Sequence, residues 1–320
     1  MPNSCSVRVH GAVILLGMVS MLLTGCATTT NTAAPIPGRV VPPNQDRKLA
    51  VYNVAFGAVV GGVGALLHGG EEPVLRRVAK GLGWGALGGT VAYAGKWTVG
   101  EIGARERLVY GLPARFLHDT GLSMVENVAQ GRRPLERVAS HLAFVRVDVT
   151  PRRGQVQARL LPMSALAFGI MLARSTHRFD LGRSLAYGTP LFLGEGAQSI
   201  PRYSQVFAGY AFLSTVYMDR DFEAFHELAA HELIHTLQHH EFVRAGALFR
   251  APLDSLLQGS RLYQTLGRWV YLDAPLLQWG AYEIIVGGAR TGANFLCYFD
   301  NWLEREAEAF GTRKAVGVCP

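Results

Sequence analysis

The sequence predicts an α+β protein, and three observations carry that prediction. Residues 141–161 alternate apolar and polar side chains on either side of a Pro-Gly turn, as strands do. Residues 222–238 space their apolar side chains by three and four with no glycine or proline, as an amphipathic helix does. Ahead of both lies a glycine-rich stretch with two long uncharged runs, which reads as a helical hairpin. The bulk composition agrees. Of 320 residues, 49% are hydrophobic and 17% charged, against averages of roughly 45–50% and about 25%. That excludes a disordered chain, a coiled coil and a disulfide-dense miniprotein. Too few uncharged runs reach the roughly 20 residues of a spanning helix for a polytopic transporter. The net charge of +7 suits an anionic lipid surface as well as nucleic acid. It decides nothing alone, and no nucleic-acid partner is expected.

Residues 1–25 carry Arg8, the apolar run Ala12–Leu23 and then Thr24-Gly25-Cys26. These are the charged, apolar and small-residue parts of a secretory signal, and the run is too short to cross a bilayer. Leu23-Thr24-Gly25-Cys26 resembles a bacterial lipobox. The resemblance implies that Cys26 is lipidated and becomes the first residue of the mature protein. With Ala27 rather than Asp behind it, the resemblance further implies an outer-membrane lipoprotein of a Gram-negative envelope, facing the periplasm. Each buried acyl methylene contributes about 0.8 kcal/mol to that attachment. Cys5 leaves with the signal, so Cys297 and Cys319 remain. An oxidising periplasm permits a disulfide between them, and their spacing neither requires nor forbids one.

Residues 26–50 are rich in Thr, Asn and Pro (Pro35, Pro37, Pro42, Pro43) and read as an extended tether. Residues 51–104 form the glycine-rich segment, where 14 of the 37 glycines fall between Gly57 and Gly103. Gly57, Gly61, Ala65 and Gly69 are spaced by four, as are Gly81, Gly85 and Gly89. Small residues so spaced make a flat helix face on which two backbones can approach closely. The stretch resembles the glycine-zipper segments of small outer-membrane lipoproteins. Two placements are open: association with the membrane, or a soluble hairpin packed on the main domain. Ala50–Leu67 holds 18 residues without a charge and Gly81–Gly95 holds 15. The second run, about 22 Å long as a helix, falls short of a bilayer core of roughly 30 Å. Membrane association without a full span is therefore the reading taken.

Residues 105–320 form the main domain, mixed α/β over 105–200 and helical over 201–320. Arg107–Gln130 has helical periodicity interrupted at Pro113. His141–Thr150 and Gln155–Leu161 read as two strands of a hairpin, and Phe179–Leu193 holds further short strand candidates.

The chemistry sits in His231-Glu232-Leu233-Ile234-His235. Residues four apart stand one above the other on a helix, so both imidazoles can grip one metal ion. Glu232 projects beside them and can act as general base on water. On this composition, the pattern His-Glu-x-x-His arises by chance about 0.015 times. It resembles the zincin class of metallopeptidases, which implies zinc as cofactor and a zincin-like domain. Gln238 and Glu241 stand where a metzincin would carry its third histidine. Downstream, Glu304-Arg305-Glu306-Ala307-Glu308 resembles the Glu-x-x-Ala-Asp helix of gluzincin-type metallopeptidases. By position, that resemblance implies Glu304 as the third ligand and Glu308 in place of the aspartate that orients a ligand histidine. Glu308 is the alternative ligand. Among the aromatics of Leu262–Val286, Tyr263 and Tyr282 are eligible to assist an oxyanion, and nothing singles either out.

The reading is an α+β, zincin-like domain with a small antiparallel sheet and a mainly helical C-terminal half, preceded by a glycine-rich helical hairpin. Its expected activity is hydrolysis of a peptide or protein substrate through zinc-activated water. The alternative is a structural lipoprotein with a glycine zipper and at most a structural zinc. No motif describes the cleft that chooses a substrate.

Overall fold

The computed structural model describes residues 26–29, 43–174, 176–196, 198–200, 205–249, 257, 259–271 and 302–311. The signal segment, Cys297, Cys319, Tyr282 and the middle of the expected tether lie outside the described residues. Both ends of that tether are structured: Cys26–Thr29 forms strand β1, and Pro43 opens helix α1.

Helices α1 (Pro43–His68), α2 (Val74–Arg105) and α3 (Gly111–Ala129) pack side by side. The glycine spacing is what lets them touch. A Cβ added at Gly57 would strike the Gly85 carbonyl and fall 2.8 Å from Gly89 N. One added at Gly95 would fall 2.6 Å from His118 N on α3. The hairpin is thus one side of the main domain, with α2 also against the later helices. Its outer face keeps Val51, Val59, Leu75, Trp84 and Trp97 exposed. Residues Arg47–His68 are long and apolar enough to cross a membrane, with 44% of the apolar window buried in the fold. Pro113 does not interrupt α3, because it sits in the first turn, where its missing N–H costs nothing.

Strands β2 (Val138–Leu142), β3 (Val145–Thr150) and β4 (Gln155–Leu160) make a small antiparallel sheet. Residues 141–150 are therefore two strands, not one. Leu142 pairs with Val145 across a two-residue turn in which Ala143 takes φ 55°. A second, six-stranded sheet contains β1, β5 (Arg178–Phe179), β6 (Leu191–Gly194), β7 (Gln198–Ile200), β8 (Gln205–Phe212) and β9 (Thr215–Asp219). Its order is β1-β8-β9-β6-β5, with β7 also on β8 and only the β6–β9 pair parallel. The expectation of a helical chain from residue 201 is corrected here, since β8 and β9 precede any helix. Their turn carries Leu213 at φ 55°, again without glycine.

This sheet is covered on both faces, and its strands alternate between two cores. Leu191, Leu193, Val216 and Met218 join the core with α2, α6 (Phe225–Ala245) and α8 (Trp302–Gly311). Phe192, Tyr210, Phe212 and Tyr217 face the opposite core, closed by α4 (Pro162–Ala173). That alternation is the two-residue period of a strand. Helices α5 (Leu181–Tyr187), capped by Asp180, and α7 (Arg261–Trp269), capped by Ser260, join these α-helices, with three short 3-10 turns among the described residues.

Candidate metal centre

Helix α6 begins at Phe225 and runs to Ala245 through the core, buried from Leu228 to Gln238. It therefore carries His231, Glu232 and His235 into the interior on consecutive turns. Helix α8 meets it at one point of backbone contact, where a Cβ on Gly311 would lie 2.7 Å from His231 Cα. The apolar residues Leu303, Ala307 and Phe310 hold α8 in place, which leaves Glu304 and Glu308, one turn apart, against the histidines.

The result is a triangle of donor atoms. His231 Nε2 and His235 Nε2 lie 3.0 Å apart. Glu304 Oε2 is 3.1 Å from the second and 3.3 Å from the first. Donors at 2.0–2.1 Å from one tetrahedral ion stand about 3.3 Å apart, so the residues fit such an ion. A side-chain oxygen also lies near each of the other ring nitrogens. His231 Nδ1 is 3.2 Å from Glu308 Oε2, and His235 Nδ1 is 2.9 Å from Gln238 Oε1. Ligand histidines typically have just such an oxygen behind them, which sets the tautomer and ring orientation. Glu304 is thus the carboxylate close to both Nε2 atoms, and Glu308 the one close to His231 Nδ1. Glu232 is fully buried next to His231.

At 3.0 Å the two Nε2 atoms are within hydrogen-bond distance, with one ring donating to the other. Burial opposes the His231 imidazolium, but Glu304, Glu308 and Glu232 together raise it to about 10. Burial likewise opposes the Glu304 carboxylate, and the two histidines bring it below the usual range.

Sequence reasoning missed a buried polar network behind this triangle. Gln238 Nε2 donates to Leu303 O at 2.9 Å and to Glu306 Oε2 at 2.8 Å. Glu306 also accepts from Asn53 Nδ2 at 2.9 Å and from Lys96 Nζ at 2.8 Å. Lys96 Nζ is in turn 2.7 Å from Glu241 Oε1. A signal was present in the sequence: Asn53 lies within the first uncharged run and Lys96 directly follows the second. Such groups in a buried helix need polar partners.

Asp119, His141 and His240 form a second buried group of potential ligands. Its surroundings differ in sign. Arg115 Nη2 donates to His240 Nε2 at 3.3 Å, so the ring hydrogen sits on Nδ1, the nitrogen 4.0 Å from Asp119 Oδ1. Arg244 Nη2 already occupies that oxygen at 3.0 Å. Two guanidinium charges stand where an ion's own charge would fall, whereas the first triangle is bordered by carboxylates. Tyr263, in α7, is partly buried, and its backbone N–H donates to the Ser260 hydroxyl at 3.3 Å.

No family profile matches this chain, and neither a curated protein nor a solved structure is similar to it.

Proposed function

We propose that the protein is a zinc-dependent, zincin-like metallopeptidase held at the outer membrane by a lipid on Cys26. The observation that carries the reading is the donor triangle of His231, His235 and Glu304, with each histidine backed by an oxygen and Glu232 adjacent. His231, His235 and Glu304 would hold the ion. Bound there, zinc supplies a Lewis acid that brings the pKa of water to around 7 and polarises a carbonyl. Glu232 takes a proton from the attacking water and passes it to the leaving amine. Glu308 and Gln238, near the two Nδ1 atoms, would orient the histidines and leave their Nε2 atoms to hold the ion. Cys26 opens β1 and pairs with Ala211, so a lipid there would hold the six-stranded sheet at the bilayer surface. The substrate is a peptide or protein.

The experiment is metal content by mass spectrometry on the full chain in detergent. About one zinc per chain, lost in His231→Ala, supports the reading, and none in the folded wild-type protein overturns it. Complete burial of Glu232 favours one rival, a lipoprotein whose zinc only stabilises the fold. Glu232→Gln decides between them: a peptidase keeps its metal and loses all hydrolysis, whereas a structural site has no activity to lose. Labelling with radioactive palmitate, abolished by Cys26→Ser, tests the anchor.

A further inference from the structure

The bonds behind His235 run continuously into the glycine-rich hairpin. His235 Nδ1 meets Gln238 Oε1 at 2.9 Å. Whether that contact is a useful one depends on which way the Gln238 amide faces. Turned as it is, its oxygen can only accept, so Nδ1 carries the hydrogen and Nε2 presents a lone pair toward His231 and Glu304. Reversed, its amino group would donate to Nδ1 and move the hydrogen to Nε2, closing the ligand position. The amide is held by its own two hydrogens, which go to Leu303 O and Glu306 Oε2. Glu306, with no exposure to water, accepts from two further donors, and both lie on the hairpin: Lys96 Nζ at 2.8 Å and Asn53 Nδ2 at 2.9 Å. Asn53 is itself fixed by Leu49 O at 2.9 Å. Burial opposes the Lys96 charge, and the carboxylates of Glu241 and Glu306 outweigh it, so the donor stays protonated.

We propose that Lys96 and Asn53 are positioning residues of the metal centre, acting through Glu306 and Gln238 on the tautomer of His235. The proposal rests on the metal reading above. It assigns the glycine-rich hairpin a part in the site: its close backbone packing brings a lysine and an asparagine to the back of a ligand. A lysine that served only to pin α2 to the later helices would have no such effect on the ion.

The test titrates Co²⁺, a spectroscopic substitute for zinc, into the full chain against a competing chelator and follows its visible absorption. Wild type should bind one ion and His231→Ala none. Lys96→Met and Asn53→Ala should each lower Co²⁺ affinity by about tenfold or more, the usual effect of removing a partner behind a ligand. Both should also alter the absorption bands. Ile102→Ala removes core volume from the same helix without touching the network. It should lower the melting temperature and leave affinity and spectrum unchanged. If Lys96→Met does not fold, Asn53→Ala carries the comparison, since it removes a neutral group. Folded variants that bind Co²⁺ with wild-type affinity and spectrum overturn the proposal and leave the metal reading intact. A wild-type chain that binds no Co²⁺ overturns both.

Discussion

At the scale of single residues, the proposed metal centre sets a proton and an ion in competition for the same lone pairs. His231 is raised to about 10 by the carboxylates around it, against the effect of burial. Binding a metal therefore expels a proton, and affinity should rise with pH by about tenfold per unit while that proton is present. Isothermal titration in buffers of different ionisation enthalpy would detect the released proton, and affinity independent of pH would contradict the account. The same shift has a sign for metal-free stability. A raised histidine stabilises the fold fully below its ordinary value of 6.5 and ceases to do so as pH climbs through about 10. Glu308 acts behind His231 at 3.2 Å. Glu308→Ala should cost roughly 10–100-fold in metal affinity, and Glu308→Asp less. Equal affinity in all three proteins would remove Glu308 from the site.

At the scale of elements, two glycine contacts decide where the ligands sit. Gly311 allows α8 to touch α6 at His231, with 2.7 Å between the position of an added Cβ and the His231 backbone. Backbone cannot yield as the tip of a side chain can. Gly311→Ala should push α8 outward, separate Glu304 from both histidines and remove bound metal while the far-ultraviolet circular dichroism keeps its helical signal. Retained stoichiometric metal would show that the contact is not needed. The hairpin is governed by the same rule at Gly57 and Gly85, each of which would place a Cβ against the other's carbonyl. The flat face read from the four-residue spacing is used between α1 and α2, inside the protein. The strands were harder to read. Ala143 and Leu213 adopt positive φ in two-residue turns, where asparagine or glycine is usual. With no turn residue to mark them, one hairpin read as a single strand and the other as part of a helical region. The strain of a non-glycine residue there, of order 1–3 kcal/mol, is offset by the pairing on either side.

At the scale of the whole molecule, buried ion pairs join the small sheet to the helices. Arg146 Nη2 lies 2.7 Å from Glu126 on α3 and 2.9 Å from Asp148 on β3. Arg244 on α6 reaches Asp119 at 3.0 Å. Burial alone would raise both Glu126 and Asp148; Arg146 and Arg137 overcome it and hold both carboxyls below their ordinary values. Depressed carboxyls stabilise the fold above their unfolded values of 4.5 and 3.8 and lose that contribution as pH falls. The denaturation midpoint should therefore drop as pH falls below about 4.5. An acid-stable midpoint would contradict the argument. Replacing Arg146 by Met should destabilise by about 3 kcal/mol, because two buried carboxylates lose a shared partner and keep Arg137 and, for Asp148, Arg159.

What the sequence determined by itself is local: the four-residue spacing that aligns His231 with His235, the charge of Glu232 beside them, and the glycine stripes that permit close helices. The helical period sets these wherever the helix is placed. The resemblance of residues 304–308 to a known helix supplied Glu304, which the tertiary structure brings within 3.1 Å of His235. Only tertiary structure decided the rest. Asn53, Lys96, Gln238 and Glu306 are separated by up to 253 positions along the chain, and no period relates them. They meet because glycine contacts hold α1 against α2, and α2 against α6 and α8 at Gly103, and because a charge buried there has no water to turn to.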